Sequence, residues 1–144
     1  MANNPSFVVY AVSMMILCLN VVGLWIYSGV VRARTKTARN PEDVGKKATL
    51  TNEDPPDVAR VLRAHRNAAD NILPFAILAF ILVQLGATPV VVGALCGVFT
   101  LARLAHSASY LGEKQPWRSI FFAAGAATTL TLVGFLVRQI VVSS

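Results

Sequence analysis

Three groups of side chains in this sequence have the types and spacing to do chemistry. The largest comprises Arg60, Arg63, His65, Arg66, Asn67, Asp70 and Asn71. In a helix, positions 60, 63, 67, 70/71 and 74 fall on one face. Guanidinium groups, an amide and a carboxylate on one face suit a small zwitterionic ligand. The arginines take its carboxylates, and Asp70 takes its ammonium group. The alternative is a juxtamembrane anchor whose arginines snorkel to lipid headgroups. That accounts for Arg60 but poorly for Asn67 and Asp70, which lie deeper along the helix. Pro74 lacks an N–H, so the carbonyl of Asp70 loses its helical donor and a bend is expected there. Such kinks also serve packing alone in membrane helices.

The second group is Arg103 and His106, three residues apart, with Tyr110 one turn further on. Ionisable side chains within an apolar stretch are costly and mark a functional site by default. The alternative is a pairing between helices, such as Arg103 with Asp70, with Tyr110 in an interfacial aromatic belt. The third group is Arg118 and Ser119, which open an apolar run after Pro116. A helix N-terminus there offers unpaired N–H groups and the positive end of the helix dipole. With a guanidinium and a hydroxyl added, it is a place where a ligand thiol ionises, because thiolate pKa values fall beside cations and helix N-termini. The alternative is a helix cap with an arginine that binds headgroups. The sequence contains neither a nucleotide-binding loop nor clustered metal ligands, so no metal is expected.

The elements that must position these groups are hydrophobic helices. Residues 7–31 form an apolar run interrupted only by small or uncharged polar residues such as Ser13, Asn20 and Ser28, and it stops at Arg32 and Arg34. At 1.5 Å per residue it crosses a hydrocarbon core of roughly 30 Å. No basic leader precedes it and it is too long for a cleaved signal, so it is expected to stay as a span. Residues 32–56 are polar, with Lys36, Arg39, Asn40, Pro41, Glu42, Asp43, Lys46, Lys47, Glu53 and Asp54, and are expected as a solvated, partly ordered loop. Pro55 and Pro56 suit the first turn of a second helix, with Asp54 as its cap. That helix, 57–85, is polar as far as Asn71 and apolar beyond. It is long enough to cross only if its polar half is shielded by protein. The short turn Gly86-Ala87-Thr88-Pro89 leads into a third span, 89–111, and residues 112–116 lead into a fourth, 117–142.

Short connections force antiparallel neighbours. The predicted fold is an all-α integral membrane protein, an up-down bundle of four transmembrane helices forming a single domain over 1–144. A chain that is 55% hydrophobic and only 14% charged, with a mean hydropathy of +0.58, is too apolar for an ordinary soluble domain. The net charge of +6 does not imply a nucleic-acid partner, because the basic residues flank apolar runs as the positive-inside bias places them. The same bias puts the 32–56 and 112–116 loops in the cytoplasm and both termini across the membrane. Cysteines placed at Lys47 and Ser144 should therefore label from opposite sides. Arg138 reads as a snorkelling anchor near the other interface. Ala123, Ala124, Gly125, Ala126 and Ala127 read as a close helix contact. Cys18 and Cys96, within apolar runs, read as small core residues rather than a disulfide or a catalytic pair.

Several of these motifs occur in the order and spacing of a known family. Asn40-Pro41-Glu42-Asp43, Arg60-Val61-Leu62-Arg63-Ala64-His65-Arg66-Asn67, Ile72-Leu73-Pro74-Phe75, Arg103-Leu104-Ala105-His106, Tyr110-Leu111-Gly112 and Arg118-Ser119 resemble the MAPEG family, membrane-associated proteins in eicosanoid and glutathione metabolism. The resemblance runs from about Gly29 to the C-terminus and leans toward the prostaglandin-synthase and type-one glutathione-transferase branches. It implies a homotrimer of four-helix subunits with glutathione bound between neighbours near the cytoplasmic side, which also supplies the shield the second helix needs. Arg32, Arg63, Arg66, Asn67, Asp70, His106, Tyr110, Arg118 and Ser119 match its glutathione-site positions, and Arg103 is grouped with them as a binding residue. Arg118 matches the arginine held to stabilise the thiolate, and Asp43 an aspartate proposed to assist chemistry. The sequence departs from the family at Ala59 and Asp70, where glutamate is common. Phe122 and Ala126 stand where the prostaglandin synthase has a polar tyrosine and glutamine. These departures bear on how glutathione sits and on specific prostaglandin synthesis more than on thiol chemistry.

The resulting expectation is a trimeric enzyme, in a bacterial inner membrane or the endoplasmic reticulum, with its active site toward the cytoplasm. It activates the glutathione thiolate for attack on a lipophilic electrophile or peroxide from the bilayer, as a glutathione transferase. Glutathione-dependent isomerisation of a lipid endoperoxide is the enzymatic alternative, and a non-catalytic lipid-binding scaffold is the other class. A channel or transporter would need a polar stripe through the membrane, whereas the polar groups cluster at one end.

Overall fold

The computed structural model of the chain describes residues 4–44 and 48–143. Lys46, Lys47 and Ser144, used above as loop charges and labelling positions, lie outside them. Four helices account for most of the chain: α1, Pro5–Thr35; α2, Pro56–Gln84; α3, Pro89–Leu111; and α4, Trp117–Ser143. Each is long and apolar enough to cross a membrane. Proline stands in the first turn of α1, α2 and α3, where its missing N–H costs no hydrogen bond. The Asn4 side chain caps α1 by accepting from Ser6 N and Phe7 N, and the Thr88 hydroxyl caps α3 by accepting from Val91 N.

Unlike a soluble bundle, these helices carry large apolar side chains on the outside and several polar ones within an otherwise apolar interior. Leu19, Trp25, Val90, Leu101 and Leu130 are exposed, whereas Ser6, Ser13, Ser28, Thr100, Arg103, His106, Ser107, Ser109 and Thr128 are buried. That arrangement fits a hydrocarbon solvent, in which packing and hydrogen bonds between helices hold the bundle. One such bond runs from Asn20 Nδ2 to Ser107 Oγ at 3.1 Å, joining α1 to α3. The core runs along Leu17, Leu24, Ala68, Ile72, Leu82, Leu95, Leu132 and Leu136, and Phe75 stacks on Phe99 with ring centroids 3.7 Å apart. Helix α2 continues unbroken through Pro74. Cys96 is buried as expected, but Cys18 is exposed on the outside of α1, and the two thiols are unlinked. Position 18 points away from the seam formed by Leu17 and Leu24, so an apolar run alone does not make it core.

The polar segment after α1 is more built than the sequence suggested. Lys36 ends α1 in the left-handed conformation, φ 53°. Beyond it β1, Thr37–Ala38, pairs in parallel with β2, Thr49–Leu50, and Pro41–Asp43 form a 3-10 turn. Asp54 does not cap α2. The N-cap position is Pro55 and has no side-chain cap, because the Asp54 carboxylate is drawn to Arg32 at 2.9 Å and lies 4.0 Å from Arg39. The carboxylate faces the two guanidinium groups as an ion pair rather than the N–H groups of the helix. The ion pair fixes the start of α2 against the end of α1.

Candidate functional site

The end of the bundle that carries the charges is organised around the start of α4. The loop before it is tied back onto α3 by backbone hydrogen bonds from Gly112 N to Ala108 O and from Lys114 N to Ser109 O. Arg118 N then donates to Lys114 O at 3.1 Å, and the Ser119 and Ile120 N–H groups bond to Pro116 O. His106 locks the other side, with its Nδ1 2.9 Å from the Arg118 carbonyl oxygen. A carbonyl only accepts, so Nδ1 carries the proton and a neutral ring presents Nε2 as an acceptor. This Nε2 is buried without a partner among the described residues. Backbone and imidazole together fix where Arg118 starts.

The Arg118 guanidinium lies over the Tyr110 ring, 4.8 Å from its centroid, a cation–π contact worth about 0.5–2 kcal/mol depending on desolvation. Gln115 approaches the same guanidinium from the loop. With its oxygen toward the arginine, as donor and acceptor matching requires, it accepts from Nη2 at 2.7 Å and from Nε at 3.1 Å. The Ser119 hydroxyl lies 3.2 Å from the same amide. Asn67, His106, Tyr110, Arg118, Ser119 and Phe122 line a pocket of about 220 Å³ at this point. Five of those six are residues that the sequence marks.

Arg103 stands behind this pocket rather than in it. It is fully buried and donates through Nη2 to the Asn67 side-chain oxygen and, at 3.4 Å, to the Asn67 carbonyl. The sequence allowed a pairing with Asp70; instead Arg103 meets Asn67, and Asp70 is exposed. Gly125 makes the room. A Cβ there would lie 3.3 Å from Arg103 Cδ and 3.7 Å from Nη1, so the small-residue patch on α4 admits an arginine as well as a helix. The pairing fixes the Asn67 amide that faces the pocket.

The other marked residues are not brought into this pocket within one chain. Arg63, Arg66 and Asp70 are exposed on the outer side of α2 and make no ion pair among the described residues. Arg32 is engaged by Asp54. Asp43 sits in the exposed 3-10 turn and accepts from Asn40 Nδ2 at 3.0 Å. Arg60 is held by Glu113 at 2.6 Å and by Asp57 at 3.4 Å, which ties α2 to the α3–α4 loop. Gln115, Glu113 and Phe122 were not singled out from sequence as site residues. Gln115 had a usable signal, because it lies three and four residues before Arg118 and Ser119 at a helix start.

Against known proteins, the family model described as MAPEG family matches residues 10–138. Prostaglandin E synthase of Homo sapiens is 35% identical over 123 residues, 83% of this chain and 80% of the relative. Prostaglandin E synthase of Rattus norvegicus is 33% identical over 117 residues, 81% of this chain and 76% of the relative. Prostaglandin E synthase of Bos taurus is 40% identical over 99 residues, 67% of this chain and 65% of the relative, so that match spans a little under two thirds of the bovine protein.

Proposed function

Because the chain belongs to the MAPEG family, and its four apolar helices make it an integral membrane protein, we propose that it is a glutathione transferase acting at the membrane. In this reading three copies assemble with the site between neighbours near the cytoplasmic face. The observation that carries it is the pocket at the start of α4. There a guanidinium and a hydroxyl converge beside the Asn67 amide, while the N–H groups of Arg118, Ser119 and Ile120, expected from sequence to be unpaired, are taken by the Lys114 and Pro116 carbonyls.

The residues fit the group. Arg63 and Arg66, with Arg32, provide cations for the carboxylates of a tripeptide, and Asp70 a carboxylate for its ammonium. When bound, glutathione supplies a thiol whose ionised form is the nucleophile. Arg118 stabilises negative charge at that sulfur, and the N-terminal end of the α4 dipole adds to it. Ser119 donates a hydrogen bond to the same atom, Asn67 orients the peptide, and Arg103 acts by holding Asn67. Phe122 gives the pocket an apolar wall for a lipophilic electrophile. Asp43, in the loop after α1, belongs to the proposal only through its match to a family aspartate proposed to assist the chemistry.

Exposed Arg63, Arg66 and Asp70 support the trimer. Ionisable groups facing lipid cost on the order of several kcal/mol, and a second copy removes that cost while completing the site. A second reading, glutathione-dependent isomerisation of a lipid endoperoxide, is favoured by the activity named in the relatives. Purified protein in mild detergent, given glutathione and chlorodinitrobenzene, tests the first reading. Conjugate formation is expected. Glutathione binding without conjugation, but with turnover of a lipid endoperoxide, would favour the second. Lipid binding with neither activity would return the non-catalytic scaffold. A monodisperse, fully active monomer would contradict the shared site.

A further inference from the structure

We infer that Gln115 is a positioning residue for the thiolate, holding the Arg118 guanidinium in place without neutralising it and freeing the Ser119 hydroxyl for the sulfur. The inference rests on the glutathione reading above and adds a residue which that reading does not use.

The geometry is specific. The Gln115 oxygen accepts from Arg118 Nη2 at 2.7 Å and Nε at 3.1 Å, and its nitrogen donates to Ser119 Oγ at 3.2 Å. The opposite amide orientation would set N–H against N–H at the guanidinium, so the pairing with Arg118 selects this one. Two consequences follow. One edge of the guanidinium is tied down, leaving Nη1 and the second Nη2 hydrogen for a ligand. Ser119 receives a hydrogen bond on oxygen, so its own proton is not spent on Gln115 and is available to a sulfur.

Gln115 supplies a constraint that the other contacts do not. His106 fixes the Arg118 backbone and Tyr110 fixes the plane of its guanidinium. Rotation within that plane is left to Gln115. A carboxylate here would hold the arginine equally well but cancel its charge. The nearest acidic side chain in the loop, Glu113, is instead turned to Arg60, and among the described residues Arg118 has no carboxylate partner. The pocket beside Arg118 is lined by His106 and Tyr110 from α3 and by neutral Asn67 from α2, with Arg103 behind it; Glu113 and Lys114 lie in the adjoining loop. A neutral acceptor leaves the Arg118 charge directed at the ligand.

The test compares full-length wild type, Gln115→Glu and Gln115→Ala in detergent, each saturated with glutathione. It follows the ultraviolet absorbance of the thiolate against pH, with glutathione affinity measured separately. Gln115→Glu keeps both hydrogen bonds to Arg118 but adds a counter-charge, so the thiol pKa should rise by about one unit. Its turnover should return to the wild-type level at high pH, where the thiol ionises unaided. Gln115→Ala removes the hydrogen bonds and no charge. Its pKa should rise less, its turnover should stay low at high pH, and glutathione affinity should stay within about twofold. Variants that titrate like wild type, or that share one deficit independent of pH, would overturn the inference alone. An unperturbed thiol pKa in wild type would overturn the glutathione reading with it.

Discussion

Two polar regions meet at the charged end of the bundle, and they are built differently. At the start of α4 each group is held from within the chain: Arg118 by Lys114, His106, Tyr110 and Gln115, and Asn67 by Arg103. On α2 the strip of Arg63, Arg66 and Asp70 is exposed and carries no ion pair among the described residues. The first region can be pre-organised for charge stabilisation in a single copy, which is where electrostatic catalysis gains most. In the proposed trimer the second would gain its surroundings from a ligand and a neighbouring copy. On the proposed function the difference separates chemistry from recognition, and substitutions should separate them too.

The largest effect is expected at the pre-organised region. Arg118→Ala should lower conjugation turnover by about tenfold or more, the scale of losing an electrostatic stabiliser, with a smaller change in glutathione affinity. Steady-state kinetics against pH checks it. Activity that depends on the thiolate is present above the bound thiol's pKa and lost as pH falls through it. Removing the cation raises that pKa, so the mutant profile should move to higher pH and recover part of its rate there. Equal loss at all pH values would mean that Arg118 holds the fold rather than the charge.

On the exposed strip the pattern should invert. In the proposed complex Asp70→Ala or Arg63→Ala would remove a charge-assisted hydrogen bond to glutathione, and should weaken its binding by about tenfold. Turnover at saturation should stay near wild type. Calorimetric titration alongside kinetics reads both, and a fall in turnover with affinity intact would merge the two regions into one.

A smaller effect tests the link between them. Gly125→Ala places a Cβ 3.3 Å from Arg103 Cδ, so Arg103 must shift and loosen its hold on Asn67. Overpacking of this kind costs about 1–3 kcal/mol, visible as a lower unfolding temperature in detergent. An unchanged transition would show that Arg103 has room to spare. Smallest of all is Glu113→Gln. Its partner pair is surface-exposed, with the Glu113 side chain 63% accessible, and such pairs contribute about 1 kcal/mol or less. Stability should barely move, and a large loss would promote the Arg60–Glu113 contact to a structural tie between α2 and the α4 loop.

Much of this was legible in the sequence because hydrocarbon imposes simple rules. Apolar runs long enough to cross, prolines at the start of α2 and α3 and short connections after α2 and α3 placed the four helices to within a few residues. The motif residues that converge in the pocket were visible because helical spacing put Asn67 on the α2 face and His106 and Tyr110 one turn apart on α3. What was not legible depended on distance between elements. Asp54 looked like a cap until Arg32 came within 2.9 Å, and Arg103, for which the sequence offered Asp70, meets Asn67 instead. The room it occupies is left by Gly125, a residue on a third helix. Gln115 escaped notice although its spacing from Arg118 and Ser119 was a signal, because that spacing brings side chains together only when the loop folds the amide back over the first turn of α4.

The division between chemistry and recognition is tested most directly by titrating the thiolate absorbance of bound glutathione in wild type, Arg118→Ala and Asp70→Ala. The account predicts a raised thiol pKa in Arg118→Ala with affinity nearly kept. It predicts weaker affinity in Asp70→Ala with the pKa unchanged. An Arg118→Ala protein that keeps both the wild-type thiolate pKa and full turnover would contradict it and move the source of positive charge to Arg103.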